Sequence, residues 1–270
     1  MKTPAFLYNK YFVPAFDDIA EALLHWPIWI KLGTYDFMIQ HRRTLIGPFW
    51  QTAQQGVWVA GLALVFASKM SEGRGDYIPY VVVGIVLWNF MAAMLNIGTT
   101  VFTSNIGLIT NISAPLSTHV LRSIVLALWR MLFQFLLFLA ILPFFTHVIG
   151  PVNLLAIPGF LIGLFTSFWV CMLFAILGAR FRDVYYINAS MLRFLFFMTP
   201  IFWVPTIGGV RGFIAVFNPF THYLAIVREP LLGNMPSLLS WSVVMTISIL
   251  GGIVTLMMFS RLRRSIVFWL

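Results

Sequence analysis

The 270-residue chain carries very little charge. Charged residues make up 9% of it, whereas 60% are hydrophobic, and only eight residues are acidic. A water-soluble domain normally has about a quarter of its residues charged, so these few charges could not cover the apolar surface of a soluble fold. The composition therefore excludes an ordinary soluble protein and indicates that lipid surrounds most of the chain.

Groups that common classes of enzyme need are also missing. A single cysteine, Cys171, excludes an internal disulfide and a cysteine metal cluster. No two of the five histidines are four residues apart, and no acid lies centrally in a long apolar run. A metal site, a Ser-His-Asp hydrolase and a proton-coupled carrier are all disfavoured. Because no Gly-x-x-x-x-Gly-Lys-Ser/Thr loop occurs either, we expect that this chain is not an enzyme and binds no nucleotide itself.

Six long apolar runs are present instead, and about 20 apolar residues suffice for one membrane-spanning helix. The runs predict an all-α integral membrane protein with spans at 49–67, 78–98, 121–149, 154–178, 187–203 and 238–259. The prolines of TPIFWVP (199–205) should end the fifth helix, and the arginines of RLRR (261–264) should end the sixth.

The basic residues predict the orientation of these spans. Thirteen of the 17 Lys and Arg residues fall on the side of both termini, and the other four are Lys69, Arg74, Arg211 and Arg228. By the positive-inside rule, both termini should be cytoplasmic. The segment 16–40 has acids followed by apolar and aromatic residues, which predicts a helix lying in the membrane interface. The apolar stretch 223–227 is too short to span, which favours re-entrant or interfacial helices between helices five and six.

These features divide the chain into three parts. Residues 1–46 form a cytoplasmic segment with the interfacial helix, 47–260 the six-helix domain, and 261–270 a basic cytoplasmic tail. Two arginines stand where the first part meets the second, in the sequence HRRTLIGPFW (41–50). Positive charge alone would anchor the helix at the interface, and guanidinium groups could in addition bind a phosphate through two oxygens.

Five blocks of sequence carry a family resemblance when taken together. They are HRRTLIGPFWQTAQQGVWVAGLALVFASKM (41–70), DYIPYVVVGIVLWNF (76–90), SNIGLITNISAPLSTHVLRS (104–123), GARFRDV (178–184) and FNPFTHYLAIVREPLLG (217–233). In this order and on this topology, they resemble the membrane subunit of an ABC transporter of the type-2 exporter class. The resemblance is to the branch that exports lipid-linked polysaccharide such as O antigen.

The resemblance implies a homodimer in the inner membrane of a bacterium, docked on two copies of a cytoplasmic ATPase that holds ATP and Mg²⁺. A lipid-linked glycan would pass between the subunits, with membrane lipids but no nucleic acid as further partners. Three alternatives stay open. The same fold could export another amphiphile, such as a capsular polysaccharide, a teichoic acid or a drug, or the chain could be an intramembrane lipid-modifying enzyme. A channel or carrier that works without ATP is the third.

The resemblance also points to particular residues. It implies that a segment between helices two and three takes force from the ATPase, through Ile109, Thr110, Asn111, Ile112 and Ser113. It assigns the helices of the last block, with Asn218, Pro219, Arg228 and Glu229, to an extracellular gate. Candidate contacts to the substrate phosphate are Arg42, Arg43, Arg180 and Arg182. The ordinary alternatives are a connecting loop, an outer loop without a gating role, a membrane anchor and a solvated turn.

Overall fold

A computed structural model describes residues 13–70, 77–112, 114–144, 150–205 and 209–270. Every regular element in these ranges is helical, as the composition predicts. The α-helices are α1 (Val13–Leu24), α2 (Trp26–His41), α3 (Trp50–Met70), α4 (Tyr77–Gly98), α5 (Val101–Ser104), α6 (Ile106–Asn111), α7 (Leu116–Ile141), α8 (Ala156–Arg180), α9 (Asp183–Met198), α10 (Gly209–Phe217), α11 (Pro219–Leu231) and α12 (Leu238–Trp269). Short 3-10 turns, Gly47–Phe49, Leu142–Phe144 and Pro151–Leu155, adjoin α3, α7 and α8.

Four helical stretches in the described ranges are long and apolar enough to cross a membrane. They are Tyr77–Gly98, Leu116–Phe144, Pro151–Arg180 and Leu238–Trp269, at the places of the second, third, fourth and sixth predicted spans. Helices α10 and α11 meet at an 87° bend and could together form a fifth, broken span. The total of six spans therefore stays a prediction.

The first and fifth predicted spans differ from these four. Helix α3 has 21 residues, but three glutamines between positions 51 and 55 make its first turns polar. Helix α9 has 16 residues and ends at Met198, before the Thr199–Pro200 pair. At 1.5 Å per residue it is about 24 Å long, less than the roughly 30 Å thickness of a hydrocarbon core.

Predicted helix ends are wrong in three of the helices. Helix α9 begins four residues before its predicted start at 187 and ends five residues before its predicted end at 203. Helix α7 begins at Leu116, five residues before the predicted start, because Pro115 is compatible with a helix N-terminus. Helix α12 does not end at the run of arginines but continues through it to Trp269. Arginine is a good helix former, so the run stops the apolar stretch without stopping the helix. The last residues of the predicted third span, 145–149, lie outside the described ranges.

The buried side chains form two clusters, one toward each end of the bundle. The first joins α1, α4, α5, α7, α8 and the last turns of α12, and includes Phe102, Val120 and Ile266. We call this the basic end, since Arg180 and Arg261–Arg264 lie there. The second cluster, which includes Tyr80, Ile201 and Leu224, defines the far end.

Two glycines allow helices to approach closely at the basic end. A Cβ atom on Gly33 of α2 would lie 2.6 Å from the carbonyl oxygen of Arg122 in α7. A Cβ atom on Gly178 of α8 would overlap the carbonyl oxygen of Thr99, just after α4. Both contacts require backbone to lie where any side chain would collide, so these positions depend on glycine.

Candidate coupling, gating and substrate-contact sites

Helices α5 and α6 form the segment between α4 and α7 that the sequence analysis assigns to coupling. The side chains of Thr110, Asn111 and Ile112 are exposed there, so they are free to meet a partner. Ile109 instead packs against the buried cluster of the basic end, where it holds α6 in place. Ser113 lies outside the described residues.

A buried carboxylate anchors the helix that follows this segment. The side chain of Asp18 in α1 is fully buried, and its two oxygens accept the backbone N–H groups of Leu116 and Ser117 at 3.1 and 3.0 Å. These are the first N–H groups of α7, which have no partner within their own helix. The guanidinium of Arg263 in α12 also binds this carboxylate, with Nη2 at 2.8 Å. Asp18 thus caps α7 and joins it to α12.

A second carboxylate holds α7 from the other side. Asp36 of α2 accepts hydrogen bonds from Nε and Nη2 of Arg122, the second at 2.6 Å. Arg122 also donates from Nη1 to Asn105, between α5 and α6, at 3.2 Å. Such a bidentate pair fixes geometry as well as charge. The coupling segment, α2 and α7 therefore meet at a single side chain.

The candidate phosphate contacts form two separate pairs. Arg42 and Arg43 are exposed between α2 and α3, and neither forms an ion pair with a described acid. Arg43 has a backbone φ of 73°, which residues other than glycine rarely adopt. Arg180 lies 5.2 Å from the ring of Trp269 at the basic end, and Arg182 is exposed directly before α9. No contact among the described residues joins the two pairs.

At the far end, two of the four predicted gate residues, Asn218 and Arg228, contact the chain that joins α9 to α10. Asn218 donates to the Met198 carbonyl oxygen at 3.2 Å and to the Thr199 hydroxyl at 2.9 Å. Arg228 donates to the Pro200 carbonyl oxygen at 2.7 Å. Pro219 opens α11 and is exposed. Asn218 and Arg228 thus hold the start of a non-helical segment. Its carbonyl groups lack the hydrogen bonds that a helix would provide and accept them from side chains instead.

Two tyrosines of α4 hold the rest of that segment. The hydroxyl of Tyr80 donates to the carbonyl oxygens of Pro200 and Trp203, and that of Tyr77 donates to Phe202 at 2.7 Å. Arg228 completes the arrangement, because its guanidinium carbon lies 3.8 Å from the centre of the Tyr80 ring. Residues 199–205 are therefore fastened to α4 and α11 by four side chains of these helices, which we call the far-end clamp: Tyr77, Tyr80, Asn218 and Arg228.

The two charges predicted to act together in the gate have different surroundings. The side chain of Arg228 is only 2% exposed and is enclosed by protein, whereas that of Glu229 is 17% exposed. The Arg228 Nε and Glu229 Oε1 atoms are 3.9 Å apart, at the outer limit of an ion pair. A gating role for this pair stays a prediction, and Arg228 has a clear role in packing.

Helix α3 presents polar side chains in two directions. Gln51 and Gln55 turn into the bundle, where Gln55 donates to the Val82 carbonyl oxygen at 3.2 Å and Gln51 accepts from Gln134 of α7 at 3.4 Å. Trp50, Gln54 and Trp58 are exposed, and their spacing of four residues aligns them on one face of the helix. We call this face the α3 stripe.

No sequence pattern predicts the roles of Asp18, Asp36, Tyr77 and Tyr80. Each is an ordinary residue of a helix when its neighbours along the chain are considered. Their partners are 86 to 245 residues away, so no local pattern marks them.

The sequence profile of the ABC-2 type transporter family matches residues 30–232, most of the chain. The chain belongs to the ABC-2 type transporter family. No curated protein matches the sequence. As an ABC-2 membrane domain with several apolar helices, the chain is a multi-pass membrane protein and a transmembrane subunit of an ABC exporter.

Membrane domains of ABC-2 type transporters normally work with an ATPase subunit, which fits an exposed segment such as α6. The matched range includes the coupling segment, Arg122 and the far-end clamp. It leaves out α1 and α12, and with them Asp18 and Arg263. The Asp18 contacts therefore join residues outside the matched range to Leu116 and Ser117 inside it.

Proposed function

We propose that this ABC-2 subunit exports a lipid-linked polysaccharide of the O-antigen type across the inner membrane of a bacterium. Two copies of the chain form the path, and each docks on one copy of a cytoplasmic ATPase that binds ATP and Mg²⁺. The chain itself catalyses no reaction. The α3 stripe is the observation that carries the choice of a glycan.

The stripe combines the two kinds of side chain that a sugar needs. Indole rings stack on the C–H faces of sugar rings, and an amide exchanges hydrogen bonds with hydroxyl groups. Trp50 and Trp58 are 44% and 64% exposed, with Gln54 between them. An uncompensated amide facing hydrocarbon is costly, so a water-lined path suits Gln54 better than lipid does.

The exposed guanidinium groups suit the other part of the substrate. A lipid-linked glycan carries a phosphate or diphosphate between its tail and its sugars. Arg42 and Arg43 lie eight and seven positions before Trp50, the first residue of the α3 stripe, and neither forms an ion pair with a described acid. Phosphate bound there would place the first sugars near Trp50.

The direct test uses the purified complex of this chain with its ATPase in lipid vesicles. We expect a polyprenyl diphosphate-linked oligosaccharide to stimulate ATP hydrolysis and to be moved across the membrane. The polyprenyl phosphate without sugars, a teichoic acid fragment and an apolar drug serve as competing substrates. Stimulation by the drug and not by the oligosaccharide would refute the proposal.

Variants of one residue test the stripe itself. Trp58→Ala should lower oligosaccharide transport by up to roughly tenfold, because the loss of one stacking contact costs about 0.5 to 1.5 kcal/mol. Trp58→Phe should keep most of the transport, since an aromatic face remains. Trp26→Ala removes another exposed tryptophan, on α2, and should leave transport unchanged. Equal transport by Trp58→Ala and the unaltered chain would remove the stripe from the path.

A further inference from the structure

The Asp18 carboxylate lies where three parts of the chain meet. It receives two backbone N–H groups of α7, from Leu116 and Ser117, and the guanidinium of Arg263 in α12. We call these four residues the Asp18 junction. The side chain of Asp18 is fully buried, and its carboxylate would be costly there without these donors. Moving Arg263 away from Asp18 would therefore leave a buried carboxylate without its opposite charge.

The junction explains why α12 is so long. Its 32 residues measure about 48 Å, well beyond the roughly 30 Å that crosses a hydrocarbon core. The excess carries Arg263 to Asp18 and Ile266 into the buried cluster of the basic end. The final turns of α12 therefore belong to the layer formed by α1 and the start of α7.

The junction also stands directly after the coupling segment. Only residues 112–115 separate α6 from Leu116, whose N–H group binds Asp18. Six residues beyond Leu116, Arg122 binds Asp36 of α2 and Asn105 of the segment itself. A push on α6 consequently meets α7 at a point held by carboxylates from α1 and α2.

From this arrangement we infer that the Asp18 junction transmits the movement of the ATPase from α6 to α7 and α12 together. Asp18 acts as a positioning residue, since its buried carboxylate is bound by donors from α7 and α12. The inference rests on the proposed function in one respect, that an ATPase moves α6. It goes beyond the family assignment, because the matched range of 30–232 contains neither Asp18 nor Arg263.

The test compares Arg263→Met with Arg264→Met. Both variants lose one positive charge from α12, but Arg264 is exposed and lies outside the junction. Asp18→Asn is the third variant, because it keeps the shape of the side chain and removes its charge. Hydrogen exchange is measured on each chain in lipid nanodiscs, alone and with the ATPase, in the presence and absence of a non-hydrolysable ATP analogue.

For the chain alone, we expect exchange at the start of α7 and the end of α12 to become roughly tenfold faster in Arg263→Met and Asp18→Asn. Arg264→Met should match the unaltered chain. Unchanged exchange in both junction variants would show that the junction does not hold these helices, and would overturn the inference.

For the complex, we expect nucleotide to alter exchange in α6, at the start of α7 and at the end of α12 of the unaltered chain. In Arg263→Met the response of α12 should be lost while that of α6 remains. An α12 response that persists despite loosened helices would reduce the junction to a structural contact and refute transmission. This readout needs no substrate, so a chain that exports no glycan would refute the proposed function without deciding the role of the junction.

Discussion

Replacing Arg228 by Met tests how the far end is held together. Methionine has a similar length and flexibility but donates no hydrogen bond. The variant loses the bond from Arg228 to the Pro200 carbonyl oxygen at 2.7 Å and the contact with the Tyr80 ring at 3.8 Å. Both contacts are enclosed by protein, so water cannot replace them at once.

The expected loss of stability follows from these contacts. A cation over a ring in a desolvated site contributes about 2 kcal/mol, and a hydrogen bond from a charged group about 1.5 to 3 kcal/mol. Their sum is an upper limit, because the Tyr80 hydroxyl still donates to the Pro200 oxygen, at 3.1 Å. The distant contact with the partly exposed Glu229 adds little. We therefore expect the free energy of unfolding to fall by about 3 kcal/mol.

The assay is reversible unfolding in mixed micelles at increasing fractions of sodium dodecyl sulfate, followed by tryptophan fluorescence. Arg211→Met is the control, because Arg211 is an exposed arginine of α10 near the same end. Arg228→Lys should fall between the two, since lysine keeps the charge without the planar guanidinium group. Equal unfolding midpoints for Arg228→Met and Arg211→Met would show that the clamp does not depend on this side chain.

Three further outcomes are expected. Gly178→Ala should lower stability by about 1 to 3 kcal/mol in the same unfolding assay, because the new methyl group meets backbone, whereas Gly163→Ala in the same helix meets nothing within 4 Å and should be neutral. Arg42→Lys with Arg43→Lys should reduce surface glycan at normal abundance and topology if guanidinium groups bind phosphate; full export would leave them as a membrane anchor. In a cysteine-free background, a cysteine at Val267, exposed at the end of α12, should react with an impermeant reagent only after permeabilisation; reaction in intact cells would reverse the predicted orientation.

Much of the helical framework could be predicted from the sequence, because hydropathy and helix formation depend on neighbouring residues. The runs 78–98 and 154–178 match α4 and α8 within two residues at each end. The interface segment 16–40 was also helical as predicted, although it divides at His25 into α1 and α2. Helix ends were predicted wrongly where the end of an apolar run was equated with the end of the helix. The end of the apolar run predicts a helix end at Arg261–Arg264, but charge does not oppose helix formation, and α12 continues to Trp269.

The candidate sites were predictable only in part. The family resemblance places Asn218 and Arg228 in one site, and the structure does bring both to one segment. The sequence did not indicate that Arg228 is buried, because a helix of 13 residues can turn any face toward its neighbours. Ile109 shows the same limit: it shares a short helix with exposed residues yet packs inward.

The sequence by itself determined the surrounding solvent, the helical class and the family, since all three depend on composition, on local periodicity or on the order of blocks along the chain. Only the tertiary structure decided which scarce polar groups meet. Asp18 and Arg263 are 245 positions apart, and each reads locally as an ordinary charge near a membrane surface. They pair because α1 packs beside the start of α7 and α12 continues far enough to reach it. A buried carboxylate needs donors wherever packing supplies them, and packing is a property of the whole bundle.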